Sequence, residues 1–191
     1  MSKLKLLFGI LLVLITLSSA SDENSQESIV RRYYAAYNQK DYATLNALIS
    51  DQIVLTEMGH TVLQGKDAYI DLVEWGEALN SENRLKKLSN VDGKIVTTET
   101  EHSDRIKFLY GKPIKAKTTF TIRDGKITRI EVDLIDFDLS RMIQKKEQFE
   151  NWLVATESIT SQHAMDLATI NRLNRAGGEA FRKAMELYES R

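Results

Sequence analysis

The sequence predicts an α+β fold, in which N-terminal helices are followed by a mainly antiparallel sheet and then by a C-terminal helical extension. Two observations carry this prediction. Apolar residues recur at helical spacing before residue 50 and after residue 138, and they alternate at every second position in most segments between. In addition, Asp124-Gly125 separates two alternating segments, which is a strong signal for a β-hairpin.

The first two helices are predicted to form a helical hairpin. From Ser28 onwards apolar residues follow one side of a helix, until Asn38-Gln39-Lys40 interrupts the pattern. Asp41 can cap a second helix, because its carboxylate accepts hydrogen bonds from the free amides of the first turn. The apolar side of this shorter helix consists of Tyr42, Leu45, Leu48 and Ile49.

Strands are predicted from Ile53, where the spacing of apolar residues changes to two. Ile53, Leu55 and Glu57 share one face of the first strand, and a short strand follows at residues 61–63. A third helix begins at Gly65.

After Asn83 the sequence predicts mainly strands. One lies at residues 114–122, where Ile114, Ala116, Thr118, Phe120 and Ile122 share a face. The others lie at residues 94–102 and 126–135. The last of these carries apolar side chains on one face and charged side chains on the other, which is typical of a sheet with one buried face and one solvated face. Its two faces consist of Ile130, Val132 and Leu134, and of Arg129, Glu131 and Asp133.

Helical spacing returns at Leu139, so we divide the chain into a domain at residues 21–137 and a helical extension at residues 138–191. Isolated helices of this length are marginal in water. The extension could therefore fold over the convex face of the sheet, cover an opening on the opposite, concave side of the sheet, or mediate dimerisation. Three amphipathic helices are predicted in the extension. The apolar side of the first consists of Met142, Ile143, Phe149, Trp152 and Leu153, and that of the second of Met165, Leu167, Ile170 and Leu173. Gly177-Gly178 precedes the third, whose apolar side consists of Phe181, Met185, Leu187 and Tyr188.

Residues 1–20 predict export. Lys3 and Lys5 precede an apolar segment, and small residues end at Ala20, which is typical of a cleaved secretory signal peptide. The alternative is an uncleaved membrane anchor, but only sixteen residues separate Lys5 from Asp22, and a membrane-spanning helix needs about 20. We therefore expect a periplasmic or extracellular protein, with membrane contact only through an uncleaved signal segment.

Composition and spacing argue against several classes of function. Removal of Lys3 and Lys5 from the 26 basic residues leaves 24, against 27 acidic residues, so nucleic-acid binding is not expected. The three histidines, His60, His102 and His163, share no metal-ligand spacing, and neither a metal nor a cofactor is predicted.

Glu99 and Glu101 are expected to be solvated. They lie near His102, which could suggest a metal site, but strand alternation directs them to the face opposite His102. The sequence therefore predicts an ordinary solvent-exposed strand face here.

Four segments between residues 26 and 136 resemble the SnoaL-like branch of the nuclear transport factor 2-like superfamily. They read RYYAAYNQKD, LNALISD, GKDAYIDL and FTIRDGKITRI. The resemblance implies a cone, in which a curved sheet wraps around the N-terminal helices and leaves a deep pocket at its concave face. It also implies a possible homodimer.

The first third of the chain is most similar to the ketosteroid isomerases of this superfamily. This resemblance implies that Tyr33 donates a hydrogen bond to a substrate oxyanion and that Glu57 moves a proton. Thr118 stands where those enzymes have a protonated aspartate, which also donates to the oxyanion; a threonine hydroxyl can still donate.

A role of Glu57 as an acid or base can also be argued from physical chemistry alone. If its strand face lines an apolar pocket, desolvation raises the pKa of its carboxyl and makes it a competent acid or base. The alternative is that Glu57, beside the Gly59-His60 turn, reaches solvent.

Three functions follow as hypotheses. The first is an exported protein that holds a small apolar or amphipathic molecule in its cone, and the second is a proton-transfer enzyme, an isomerase, hydratase or cyclase, that uses Glu57 and Tyr33. The third is a protein-interaction module that acts through the C-terminal helices. The further candidates for ligand contact are Ile29, Tyr37, Ile53, Leu55, Phe120, Ile130 and Val132.

Overall fold

A computed structural model describes residues 25–156 and 167–191. The predicted signal peptide at residues 1–20 lies outside the described residues, as does Met165 of the extension. In the two described ranges, no helix is long and apolar enough to cross a membrane.

The predicted α+β fold class is confirmed. In the described residues, two helices precede the sheet, two more lie between its strands, and the extension is helical. In chain order, the described elements are α1 (Gln26–Gln39), α2 (Tyr42–Leu48), β1 (Ile49–Glu57), β2 (His60–Gln64), α3 (Lys66–Ala78), β3 (Glu82–Val91), β4 (Lys94–His102), α4 (Asp104–Tyr110), β5 (Ile114–Arg123), β6 (Lys126–Ile135), α5 (Leu139–Ala155), α6 (Leu167–Ile170) and α7 (Arg175–Glu189).

The six strands form one curved, unclosed sheet in the order β2-β1-β6-β5-β4-β3. All neighbouring pairs are antiparallel except β1 and β6, which are parallel. The predicted hairpin joins β5 to β6, with Asp124 at φ 51° and Gly125 at φ 73°. These left-handed conformations are those that an Asp-Gly pair adopts in a tight hairpin turn.

The N-terminal helices pack on one face of this sheet. The predicted cap of α2 is confirmed, because the Thr44 amide donates to Asp41 Oδ1 at 3.0 Å. The main core joins α1, α2 and α3 to the sheet and consists of Ile29, Val30, Tyr33, Tyr34, Ala36, Leu45, Leu48, Ile49, Ile53, Tyr69, Val73, Ile95, Phe120, Ile127 and Ile130.

The C-terminal helices form a second apolar cluster on the outer side of α3 and α4. Its aromatic rings pack edge to face, as Phe149 does with Phe108 at 5.1 Å and with Tyr188 at 5.4 Å between centroids. The apolar sides predicted for the extension are therefore covered in part within the chain, whereas Ile143 and Leu173 remain exposed. The buried members are Leu79, Phe149, Leu153, Ile170, Ala184, Met185 and Tyr188.

The position of Gly177-Gly178 differs from the prediction. The pair lies in the first turn of α7 and does not precede it, because Asn174 caps the helix through the Gly177 amide at 3.0 Å. Glycine is required at Gly178 by close approach: a Cβ there would lie 2.7 Å from the Trp75 carbonyl oxygen and 2.8 Å from the Ala78 Cβ. The glycines therefore allow α7 to contact α3.

Helix α4 was not predicted by the strand-dominated pattern after Asn83. Its N-cap is Ser103, whose hydroxyl accepts from the Ile106 amide at 3.1 Å. Gly111 at φ 83° ends it. The helix is only seven residues long, so its periodicity is too short to stand out between two strands.

Candidate ligand-binding cavity

A cavity of about 630 Å³ opens between the concave face of the sheet and helices α1, α3, α4 and α5. Its volume is in the range of about 300–1,000 Å³ typical of small-molecule sites. The sheet and α5 supply most of the aliphatic wall, which consists of Leu55, Met58, Val62, Leu72, Ile106, Ile114, Ile130, Val132, Leu134, Leu139, Met142 and Ile143.

The extension takes part in this cavity. Leu139, Met142, Ile143 and Lys146 of α5 line it, and Leu139 remains 58% exposed. Of the three arrangements left open by the sequence, α5 therefore adopts the one beside the cone's opening.

Glu99 of β4 is the most deeply buried carboxyl in the cavity wall, with 6% exposure. Thr118 Oγ1 donates to Glu99 Oε1 at 2.8 Å, and Thr97 Oγ1 donates to Oε2 at 3.4 Å. Burial raises the pKa of Glu99 to about 7; the Thr118 hydrogen bond opposes this shift and the charge of Glu101 adds to it. Glu99 therefore exchanges a proton near neutral pH.

Glu101 lies two residues further along the same face. Burial raises the pKa of Glu101 to about 7, although the Arg105 guanidinium opposes the shift. In the described part of the chain, neither the Glu101 carboxyl nor the Arg105 guanidinium makes a hydrogen bond or an ion pair within 4.0 Å. The Arg105 guanidinium instead lies 5.5 Å from the centroid of the Trp75 ring. Both charged groups therefore have free hydrogen-bonding capacity towards the cavity.

Tyrosine hydroxyls form the remaining polar groups at the deep end. Tyr33 and Tyr69 share a short hydrogen bond between their hydroxyls, and either can be the donor. One hydroxyl hydrogen of this pair therefore remains available to a ligand. Burial raises the pKa of Tyr33 well above its ordinary value and raises that of Tyr69 as well, so both stay protonated.

Tyr34 and Tyr37 are engaged with the protein. The Tyr34 hydroxyl lies 2.8 Å from Thr97 Oγ1, and the Tyr37 hydroxyl lies 3.2 Å from Ser81 Oγ. Because the single hydrogen of Thr97 serves acceptors in the sheet, Tyr34 is the donor to Thr97.

The three residues predicted as catalytic all line the cavity, in different environments. Val132 of β6 pairs with Glu57 on one side and with Thr118 on the other, so these three residues form one row across the sheet. Thr118 is 1% exposed and Tyr33 is 5% exposed, whereas Glu57 is exposed at the end of β1. Glu57 therefore combines the two alternatives left open by the sequence: its side chain lines the cavity and also reaches solvent at the end of β1.

The predicted ligand contacts divide into two groups. Tyr37, Leu55, Phe120, Ile130 and Val132 line the cavity. Ile29 and Ile53 do not line it, because both are buried in the main core with 4% and 0% exposure. Against β6, the register of β1 shifts between Ile49 and Val54 and is regular from Val54 onwards, so Leu55 and Glu57 share the cavity face and Ile53 precedes the regular pairing.

Glu99 and Glu101 correct the expectation of a solvated strand face. Ile95 on the same strand is fully buried and shares its alternation with both glutamates. In addition, the predicted apolar face of β5 pairs with it, since Glu99 lies opposite Ala116 and Glu101 opposite Ile114. This alternation was the signal in the sequence that could have identified them.

The described residues contain no group of three or more acidic, histidine or cysteine side chains that could hold a metal ion. His102 faces away from the cavity-lining glutamates, as alternation predicts.

An unclosed curved sheet that encloses an apolar cavity against N-terminal helices defines the cone-shaped nuclear transport factor 2-like class. Within that class, the chain belongs to the SnoaL-like domain family, whose model matches residues 30–130. The predicted family is confirmed. A search of curated protein sequences returned no match.

Solved structures of the same fold are distant in sequence. An LEH-like epoxide hydrolase from M. tuberculosis is 17% identical, with a TM-score of 0.50, and the match covers 68% of this chain and 94% of that one. IdmH from Streptomyces antibioticus, a proposed polyketide cyclase, is 15% identical with a TM-score of 0.50 over 64% and 99% of the two chains. A proposed ketosteroid isomerase from Kribbella flavida is 10% identical with a TM-score of 0.50 over 59% and 78%. At these identities the likeness shows the fold alone.

Proposed function

We propose that this protein binds a small, mainly apolar molecule in its cavity, with the polar end of the molecule at Glu99 and Glu101. The observation that carries the proposal is a cavity of about 630 Å³ with aliphatic and aromatic walls and a few polar groups at one end. Apolar walls supply affinity by excluding water, and a few polar groups fix orientation. Membership of the SnoaL-like family is consistent with such a site.

The proposal predicts that filling the cavity abolishes binding. Val132→Trp places a large ring at the centre of the row Glu57–Val132–Thr118. We expect it to abolish the fluorescence increase of the neutral apolar probe N-phenyl-1-naphthylamine, which the unchanged protein should show, because the ring occupies the probe's space. Fluorescence titration of the two full-length chains measures this.

Asp133→Trp is the matched control, because Asp133 is the next residue of β6 and its side chain is exposed on the other face. It should bind the probe as the unchanged protein does. If Val132→Trp folds and still binds the probe with unchanged affinity, the cavity is not the binding site and the proposal fails.

A second candidate function is proton transfer. It is favoured by a specific observation: Glu99 and Glu101 both line the cavity with a pKa of about 7, which suits a general acid or base near neutral pH. In this proposal Glu99 carries the proton in place of the solvent-exposed Glu57. The free hydroxyl hydrogen of the Tyr33–Tyr69 pair then stabilises the developing oxyanion. Solved structures of the same fold are named as an isomerase, a cyclase and an epoxide hydrolase, which is consistent with such chemistry in this fold.

The proton-transfer proposal predicts catalysed exchange at a carbon beside a carbonyl. We expect the protein to accelerate deuterium incorporation into cyclohexanone in heavy water, followed by NMR. Glu99→Gln should lower this acceleration by about 10²-fold or more, because general acid–base groups contribute about 10²–10⁴-fold. Asp133→Asn serves as control. Equal acceleration by the Glu99→Gln chain would remove Glu99 from the mechanism.

The interaction-module hypothesis stays a prediction, because Leu139, Ile143, Val154 and Leu173 of the extension remain exposed. The apolar sides of α5 and α7 pack on α3 and α4 through Phe149, Leu153, Met185 and Tyr188. Their burial therefore has an explanation within the chain. Export and homodimer formation stay predictions from the sequence.

A further inference from the structure

We propose that the ligand is an apolar amine, an organic cation whose ammonium group lies between Glu99 and Glu101 and whose hydrocarbon body contacts the aromatic wall. This inference rests on the proposed ligand-binding function and names the chemical class of the ligand. Four features of the cavity carry it: the balance of charge, an unpaired carboxyl, a buried carboxyl without a cationic partner, and the aromatic lining.

The charged side chains of the cavity give it an acidic balance. Three carboxyls, those of Glu57, Glu99 and Glu101, line it together with the guanidinium of Arg105. The other cation in the lining, Lys146, pairs with Glu150 at 2.6 Å on the exposed side of α5. When the carboxyls are ionised, the cavity therefore attracts a cation and repels an anion. The remaining titratable groups in the lining are His60, Tyr33, Tyr34, Tyr37, Tyr69 and Tyr110.

Glu101 is a carboxyl that points into the cavity without a partner. Arg105 and Glu57 act on it through space, but it makes no hydrogen bond or ion pair within 4.0 Å in the described part of the chain. A desolvated carboxylate is costly unless it is paired. A ligand ammonium group supplies the missing hydrogen-bond donor and adds a positive charge beside that of Arg105.

Glu99 has neutral hydrogen-bond donors and no cationic partner. Thr118 donates to one of its oxygens and Thr97 Oγ1 lies 3.4 Å from the other, and among the described residues the charge of Glu101 acts on it and disfavours ionisation. Each carboxylate oxygen can accept more than one hydrogen bond. An ammonium group between Glu99 and Glu101 therefore stabilises both ionised carboxyls, which otherwise repel each other.

Aromatic rings supply a wall that suits a cation. The π face of an aromatic ring attracts a positive charge within about 6 Å of its centroid and disfavours an anion. Tyr33 and Phe120 pack at 5.3 Å between centroids beside the carboxyl end. The aromatic residues of the lining are Tyr33, Tyr34, Tyr37, Tyr69, Trp75, Tyr110, Phe120 and Phe137.

Among the arginine and lysine side chains that line the cavity, Arg105 alone has no ion pair within 4.0 Å in the described part of the chain, so it is the cation that an anionic ligand would meet. Glu57 and Glu101 both act on the Arg105 guanidinium through their charges, so its positive charge is already compensated. An anion at Arg105 would meet these two carboxylates, and like charges in a desolvated site cost free energy.

Three probes with one hydrocarbon body test the inference: 1-adamantylamine, 1-adamantanol and 1-adamantanecarboxylate. Calorimetric titration of the full-length protein at pH 8 should show the amine binding about tenfold or more tightly than the alcohol, and the carboxylate binding most weakly. From pH 8 to pH 6 the amine affinity should fall about tenfold for each carboxyl with a pKa of about 7 that must be ionised. The ammonium itself stays charged over this range, and the alcohol affinity should not fall.

Glu99→Gln separates charge from shape. Glutamine keeps the volume and the acceptor for Thr118, so amine affinity at pH 8 should fall about tenfold while alcohol affinity is retained. Asp133→Asn, the same kind of change on the outer face, should alter neither affinity.

The outcomes distinguish this inference from the proposed function. If the alcohol or the carboxylate binds as tightly as the amine, or if N-phenyl-1-naphthylamine binds and the amine does not, the amine class is overturned while ligand binding stands. If none of the four compounds binds, the proposed function itself fails.

Discussion

Glu99→Gln is expected to raise the free energy of unfolding by about 2–3 kcal/mol at pH 8 and by less than about 1 kcal/mol at pH 5. Burial raises the pKa of Glu99 to about 7, so the folded protein retains a proton that the unfolded chain has already released. Stability therefore falls as pH rises from the ordinary range of glutamate to about 7, and it is constant above that. Glutamine carries no charge at either pH, and urea unfolding at both pH values measures the difference.

The matched control for this prediction is Asp133→Asn, an exposed carboxylate on the outer face of the sheet. It should change stability by similar small amounts at both pH values. Glu101→Gln should act in the same direction as Glu99→Gln, because burial raises the pKa of Glu101 to about 7 as well. A Glu99→Gln chain that is less stable than the unchanged protein at pH 8 would show that Glu99 is not desolvated.

Gly178→Val is expected to lower the free energy of unfolding by about 3 kcal/mol. An added Cβ at this position would lie 2.7 Å from the Trp75 carbonyl oxygen and 2.8 Å from the Ala78 Cβ. The first of these neighbours is backbone in α3, so α7 must move away and part of the second apolar cluster opens. The chain's two tryptophans, Trp75 and Trp152, both pack in this cluster, so their fluorescence reports the change directly.

Glu179→Val is the control, since it places the same side chain on the exposed side of the same helix turn. Its effect should be within about 0.5 kcal/mol. If Gly178→Val has an equally small effect, then α7 does not lie against α3 at this point, and the extension is held by other contacts.

Much of the fold can be predicted from clear local patterns in the sequence. Asp41 caps α2 as its position predicts, and Asp124-Gly125 turns β5 into β6. The alternation of Ile114, Ala116, Thr118 and Phe120 gave the buried face of β5 correctly. These features depend on interactions between residues close in the chain, which is why spacing alone predicts them.

The cavity's chemistry depended on contacts between distant residues. Ile95 indicated the buried face of β4, but the charge of Glu99 suggested that this side chain is exposed to solvent. In the structure Glu99 is enclosed by Thr118 of β5, by Thr97 of β4 itself and by Tyr34 of α1, which contacts Thr97. Conversely, Glu57 shares the cavity face of β1 with Leu55, yet its position at the end of the strand exposes it. Desolvation is a property of everything that surrounds a group, so spacing along one strand could not supply it.

The sequence by itself determined the order of the elements apart from α4, the family, and the identity of Tyr33 and Thr118 as residues of the cavity. Only the tertiary structure decided which carboxyls face the cavity, because the pKa of a side chain is set by the burial and charges that distant segments bring to it. It also decided that α5 lines the opening and that α7 lies against α3. Gly178 marks a close contact between two helices only once α3 is known to lie beside it.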